Sequence, residues 1–113
     1  MNLYLFDYHG TLTTLESPTA FITSLRAVDE GCVIVVMSGG LVPPEVLAAA
    51  DHFWSKAEAF RPLIQTMLNQ GADRIVISED RPLMVRAYLR MLRSVCSDVV
   101  AVPPDQLSAL LTG

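Results

Sequence analysis

The chain has 113 residues, 51% of them hydrophobic, and a formal net charge of -4. That length allows one buried core and excludes two, since domains cluster near ~100–150 residues, so residues 1–113 read as a single domain. Its acidity excludes a global field for nucleic acid, and the lack of a basic leader or of any apolar run near ~18–20 residues excludes a membrane span, which predicts a cytoplasmic protein.

Leu3–Phe6 is a short apolar run without alternation, as in a strand buried on both faces, and it ends at Asp7. A helix burying Phe21, Ile22, Leu25 and Val28 is predicted from Ser17-Pro18 to Gly31, opened by a cap residue and a proline. Val33–Met37 gives a second strand that ends in Ser38-Gly39-Gly40, and a short helix follows from about Pro44 to Ala50. His52 has no second ligand residue at metal spacing and reads as a packed surface or core histidine beside Phe53 and Trp54.

The clearest helical pattern runs from Ser55 to Gln70, where Phe60, Leu63, Ile64, Met67 and Leu68 recur at three- and four-residue steps. Ser55 and Glu58 form a capping box, and Gly71 stands where a left-handed residue closes a helix. Ile75–Ile77 is the third strand, followed by Ser78-Glu79-Asp80. A helix from Pro82 to about Val95 turns Val85, Leu89, Leu92 and Val95 inward; Val99–Val102 forms a fourth strand, and a helix from Pro104 ends the sequence. Arg86, Arg90 and Arg93 share one face of the Pro82 helix. In an acidic chain with no aromatic residues between them they read as a solvated face, so nucleic acid is not indicated by charge. Cys32 and Cys96 have no companion at metal spacing and read as buried, reduced thiols.

Strand and helix alternate, which calls for right-handed crossovers and a three-layer, doubly wound parallel α/β sheet. Ligands then bind at the carboxyl ends of the strands, where Asp7, Ser38 and the pair Glu79 and Asp80 stand. Each also has a plain reading: Asp7 and Ser38 as turn residues, Glu79 and Asp80 as a cap and first-turn acid for the next helix. Lys56 is the only lysine, and at a helix start it opposes the dipole, which suggests a use other than folding; the plain reading is an exposed solubilising charge.

The segment LYLFDYHGTLT resembles the first motif of the haloacid dehalogenase superfamily, a strand ending in D-x-D-G-T-[LV]-[TS], with Asp7 at the nucleophile position. VIVVMSGG resembles the second motif and places Ser38 on a phosphoryl oxygen; SKAEAFRPLI resembles the third, with Lys56 as the cation; IVISED resembles the fourth, with Glu79 and Asp80 as metal ligands. The four stand in the family's order. The resemblance implies a Rossmann-like core of the haloacid dehalogenase type with no cap domain, since few residues separate Thr11 from Ser17 or Asp51 from Lys56.

It implies a magnesium-dependent phosphohydrolase working through an aspartyl-phosphate at Asp7, the metal held by Asp7, the backbone carbonyl of His9, and Glu79 or Asp80. Gly10, Thr11, Ser38 and Gly39 would line the phosphate, and Asp7, His9 and Lys56 would do the chemistry. Phosphoryl transfer needs those types: a carboxylate nucleophile, hard oxygen ligands, and cations or N–H groups around the transferring oxygens. An uncapped site implies a phosphorylated substrate as large as a macromolecule, or a lid borrowed from another subunit of a homo-oligomer. His9 stands where the family has its acid–base Asp. Imidazole ordinarily titrates near ~6.5 and can do that work, but beside magnesium it adds a cation. Two expectations follow: a phosphohydrolase impaired by His9, or a catalytically inactive binding or regulatory protein engaging a macromolecular partner.

Overall fold

The computed structural model describes residues 1–56 and 60–112. Strands β1 (Asn2–Asp7), β2 (Val33–Ser38), β3 (His52–Ser55), β4 (Arg74–Ser78) and β5 (Val99–Ala101) form one sheet in the order β3-β2-β1-β4-β5, with every pairing parallel. Helices α1 (Pro18–Val28), α2 (Pro44–Ala49), α3 (Phe60–Asn69) and α4 (Pro82–Arg93) flank it, with 3-10 segments at Leu12–Thr14 and Pro104–Thr112.

Side-chain alternation along the strands divides the core in two. Leu3, Leu5, Val35, Met37, Trp54 and Ile77 pack against Phe60, Ile64 and Met67 of α3 and Tyr88 and Leu92 of α4. Tyr4, Phe6, Ile34, Val36 and Val76 face the other way, against Phe21, Ile22 and Leu25 of α1, Val46 of α2, and Leu107. Cover on both faces is why the strands read as unbroken apolar runs. The architecture is the expected Rossmann-like α/β layer. From β1 the chain steps outward to β2 and β3, then returns past β1 to β4, so the carboxyl ends of β1 and β4 flank the switch point where such sheets bind ligands.

Several local expectations are corrected. β3 is a strand at the sheet edge, where a loop and then a helix were expected; of its four residues only Trp54 is buried, so it carries no apolar run. Helix α3 accordingly begins at Phe60, Ser55 belongs to β3, and Glu58 of the expected capping box lies outside the described residues. Val28 is 49% exposed because α1 turns its last residue away from the sheet. α4 ends at Arg93 rather than about Val95; its buried positions are Tyr88 and Leu92, while Val85 and Leu89, and Val95 beyond the helix, are half-buried. His52 is exposed, and Pro104–Thr112 is 3-10 where a helix without qualification was expected.

Other signals hold. Ser17 Oγ accepts from Ala20 N at 3.1 Å, and Gly71 sits at φ +106° just beyond α3. Both cysteines are unpaired, and among the described residues no helix is long and apolar enough to cross a membrane.

One buried polar contact gives a stability prediction. Tyr4 Oη donates to Asp29 Oδ2 at 2.6 Å, beside the Asn2 Nδ2 bond to the same oxygen at 2.9 Å, tying β1 to the end of α1. Burial and the Asp29 carboxylate push the Tyr4 phenol up from 10.0 to about 12. Because the folded state favours the protonated phenol, this stabilisation is complete below pH 10 and is lost as pH rises toward about 12. Tyr4→Phe is expected to cost about 1.5 kcal/mol at neutral pH. In urea titrations the gap from wild type should close across that alkaline window; a gap that stays constant contradicts the coupling.

Candidate functional site

Parallel pairing aligns the strand ends, so residues far apart in sequence meet at one edge of the sheet. Asp7 is the last residue of β1, and Tyr8 N donates to Met37 O at 2.9 Å, extending the β1–β2 pairing past it. Lys56 follows β3 and is fixed by its own N–H, which donates to Ser38 O at 3.0 Å. Glu79 follows β4. Asp7 and Glu79 are each only 3% exposed.

Lys56 Nζ lies between them, donating to Asp7 Oδ1 at 2.6 Å and Glu79 Oε2 at 2.8 Å. Burial alone would lower the Lys56 ammonium's pKa, but the two carboxylates outweigh it and hold the value above the ordinary lysine range. Lys56 is therefore charged throughout the neutral range. Thr11, fully buried, donates from Oγ1 to the other Asp7 oxygen, Oδ2, at 3.2 Å. Its hydroxyl makes no cap bond to the 3-10 segment that follows and secures Asp7 instead.

Asp80 is exposed and packs its carboxylate over Gly10. Gly10 is at φ +81°, a conformation that favours glycine, and a Cβ there would push the exposed Asp80 carboxylate aside. Asp7, Glu79 and Asp80 each offer an oxygen within 4.8 Å of the others, a set that can hold a metal ion. All three donors are hard carboxylate oxygens, the type that suits magnesium, calcium or manganese. Three carboxylates against the single Lys56 ammonium leave an excess of negative charge of the kind a divalent cation would balance. Arg81, with its side chain 58% exposed, offsets part of it from outside, placing Nε 3.3 Å from Glu79 Oε1.

The remaining predicted residues lie around this centre without joining it. Ser38 is buried, but its hydroxyl is engaged in its own loop, accepting from Gly40 N at 3.0 Å and donating to Gly40 O at 3.2 Å. Gly39 is exposed, and a Cβ there would meet open space, so nothing in its surroundings requires glycine. His9 is exposed with Nε2 3.1 Å from Leu41 O; a carbonyl only accepts, so Nε2 carries a proton and Nδ1 is left as the ring's other nitrogen. The ring also stands edge-on to Tyr8 at 4.9 Å.

Two contributors were not foreseen. Arg81 was hidden as one more surface arginine. Trp54, Phe60 and Tyr88 form an aromatic cluster beneath the end of β3, with centroids 4.5 Å apart for Trp54 and Phe60 and 5.3 Å for Phe60 and Tyr88. Tyr88 stands four residues before Leu92 on the inward stripe, a signal that the aliphatic pattern alone passed over.

Lys56→Met leaves two buried carboxylates without their cation, which by the usual cost of breaking a buried pair should destabilise the fold by about 3–5 kcal/mol. Asp7→Asn with Glu79→Gln in the same background should recover much of that loss in urea unfolding. No recovery would mean that packing, not charge, sets the cost.

No family model, curated protein or solved structure matches the chain.

Proposed function

We propose that this chain is a magnesium-dependent phosphohydrolase of the haloacid dehalogenase type. The observation that carries the reading is the Lys56 ammonium held between Asp7 and Glu79 at 2.6 and 2.8 Å, with Asp80 alongside. Three segments that resemble the family's motifs contribute side chains to this centre, at the end of the sheet where the chemistry requires them. In this reading an Asp7 oxygen attacks phosphorus, the Asp7 O–P bond forms as the ester O–P bond breaks, and the leaving oxygen takes a proton from His9. Water then gives a proton back to His9 and attacks phosphorus, breaking the Asp7 O–P bond and giving inorganic phosphate and free Asp7. Lys56 neutralises charge on Asp7 and the phosphoryl group. Magnesium, held by Asp7, the His9 carbonyl and Glu79 or Asp80, would supply charge neutralisation.

A cavity of about 330 Å³ runs from Glu79 and Asp80 along Ile77, Pro82, Val85 and Val102, and takes the apolar part of the ester. An aryl phosphate is accordingly the substrate to try. Hydrolysis is compared for wild type and Asp7→Asn with and without magnesium; equal rates for the two proteins would sink the proposal.

His9 favours a second reading. Its ring is exposed and tied to the Leu41 carbonyl, a position suited to a protein that keeps the centre as a binding site and has given up turnover, engaging a macromolecular partner. Under that reading magnesium raises the melting temperature of wild type, yet no phosphate ester is hydrolysed.

A further inference from the structure

The helices on one face of the sheet, α3 and α4, contain Arg61, Arg86, Arg90 and Arg93 and no carboxylate within either helix. All four arginines are exposed, and among the described residues no carboxylate lies within ion-pair distance of any of them. Arg61 Nη2 donates to Ser94 Oγ at 3.1 Å, which brings it to the Arg90–Arg93 end of α4. Residues 1–55 hold Glu16, Asp29, Glu30, Glu45 and Asp51 outside the central site, with Arg26 as their only arginine or lysine, and the acids of residues 60–113 fall outside α3 and α4.

This segregation changes the meaning of the arginine stripe. Charges that serve only solubility are interspersed in sign, whereas one cationic face backed by an acidic one makes a dipole that turns the cationic side toward a polyanion despite the net charge of -4. The cations are also all arginine, whose fork grips phosphate oxygens in pairs. Arg86 to Arg93 spans about 10 Å of helix, the rise of about three phosphates on one strand of a duplex. The other exposed groups of α3 include Gln65, Thr66 and Asn69, uncharged hydrogen-bonding residues of the kind that contact phosphate and sugar.

We propose that the α3–α4 face binds double-helical nucleic acid through its phosphate backbone, without reading sequence. No exposed aromatic residue stands on either helix to stack the bases of a single strand. A membrane surface needs a row of apolar anchors, and Leu83 alone is strongly exposed on these helices.

The probe is a fluorescein-labelled DNA duplex of about 20 base pairs, followed by anisotropy in EDTA, so that binding is scored apart from any phosphate turnover. With three to four phosphates contacted, affinity is expected to fall about 40- to 150-fold between 50 and 200 mM salt. The Arg86→Glu, Arg90→Glu, Arg93→Glu triple variant is expected to lose more than tenfold at the lower salt. The matching Arg→Gln triple, which adds no new charge, is expected to lose affinity in the same direction, and Glu45→Gln on the acidic face is expected to change nothing. The proposal is overturned if wild type does not bind the duplex at 50 mM salt, if either folded triple variant binds as wild type does, or if phosphatidylserine vesicles capture the protein more tightly than the duplex.

Discussion

Asp7→Asn is expected to lower the turnover of an aryl phosphate by about 10³-fold or more while leaving the chain folded. A carboxamide oxygen is too weak a nucleophile to form the phosphorus bond, and loss of a nucleophile removes the whole covalent route. Stability is a separate matter. Lys56 also donates to Glu79 Oε2 at 2.8 Å, so neutralising Asp7 leaves no buried charge alone. The asparagine oxygen can still accept from Thr11 or Lys56. A change in unfolding free energy within about 1 kcal/mol is therefore expected, against the several kcal/mol expected for Lys56→Met. Initial rates and urea midpoints on the same preparations separate the two effects. Rates within tenfold of each other would remove Asp7 from the nucleophile role, whatever the stability data show.

The sheet was largely legible because its three inner strands, β1, β2 and β4, lie under cover on both faces. Leu3, Leu5, Ile34, Val35, Val36, Ile75 and Ile77 are all almost fully buried, and that burial writes itself as unbroken apolar runs. β3 was not legible, since an edge strand of four residues with only Trp54 buried leaves neither a run nor an alternation. Missing it also displaced the start of α3: the periodicity from Phe60 onward was correct, but the serine read as its cap was already paired with Ser38 in the sheet. Tyr88 was passed over for the same kind of reason, because an inward stripe judged by aliphatic residues discounts an aromatic one.

The centre was legible residue by residue, but not in its wiring. Asp7, Lys56, Glu79 and Asp80 stand at strand ends that parallel pairing must align. That the lysine bridges two of the carboxylates, while Thr11 holds the free oxygen of Asp7, depends on side-chain reach across strands, which one-dimensional spacing does not encode. The charge segregation was hidden differently. The stripe Arg86, Arg90 and Arg93 was visible, but its lack of counter-charges appears only once the topology puts α3, which has no carboxylate, on the same face as α4.

His9→Asp tests what the departure in the first motif does. His9 Nε2 donates to the Leu41 carbonyl, and the ring rests against Tyr8. Both contacts hold it toward the Leu41 loop. Aspartate cannot donate to that carbonyl and is repelled by it, so the shorter carboxylate is released into the loop that begins at Asp7. There it can protonate the leaving oxygen and later take a proton from water, without adding a cation to a centre that already holds Lys56. Turnover is expected to rise by about 10²–10⁴-fold, the range such groups contribute. The acidic limb of the pH–rate profile should move to lower pH, because a carboxylate gives up its proton well below an imidazole. A lower rate in the variant would instead make His9 an adapted catalyst. A folded variant whose melting temperature still responds to magnesium but which hydrolyses nothing would leave only the binding-protein reading, since by then no missing acid–base group remains to explain the silence.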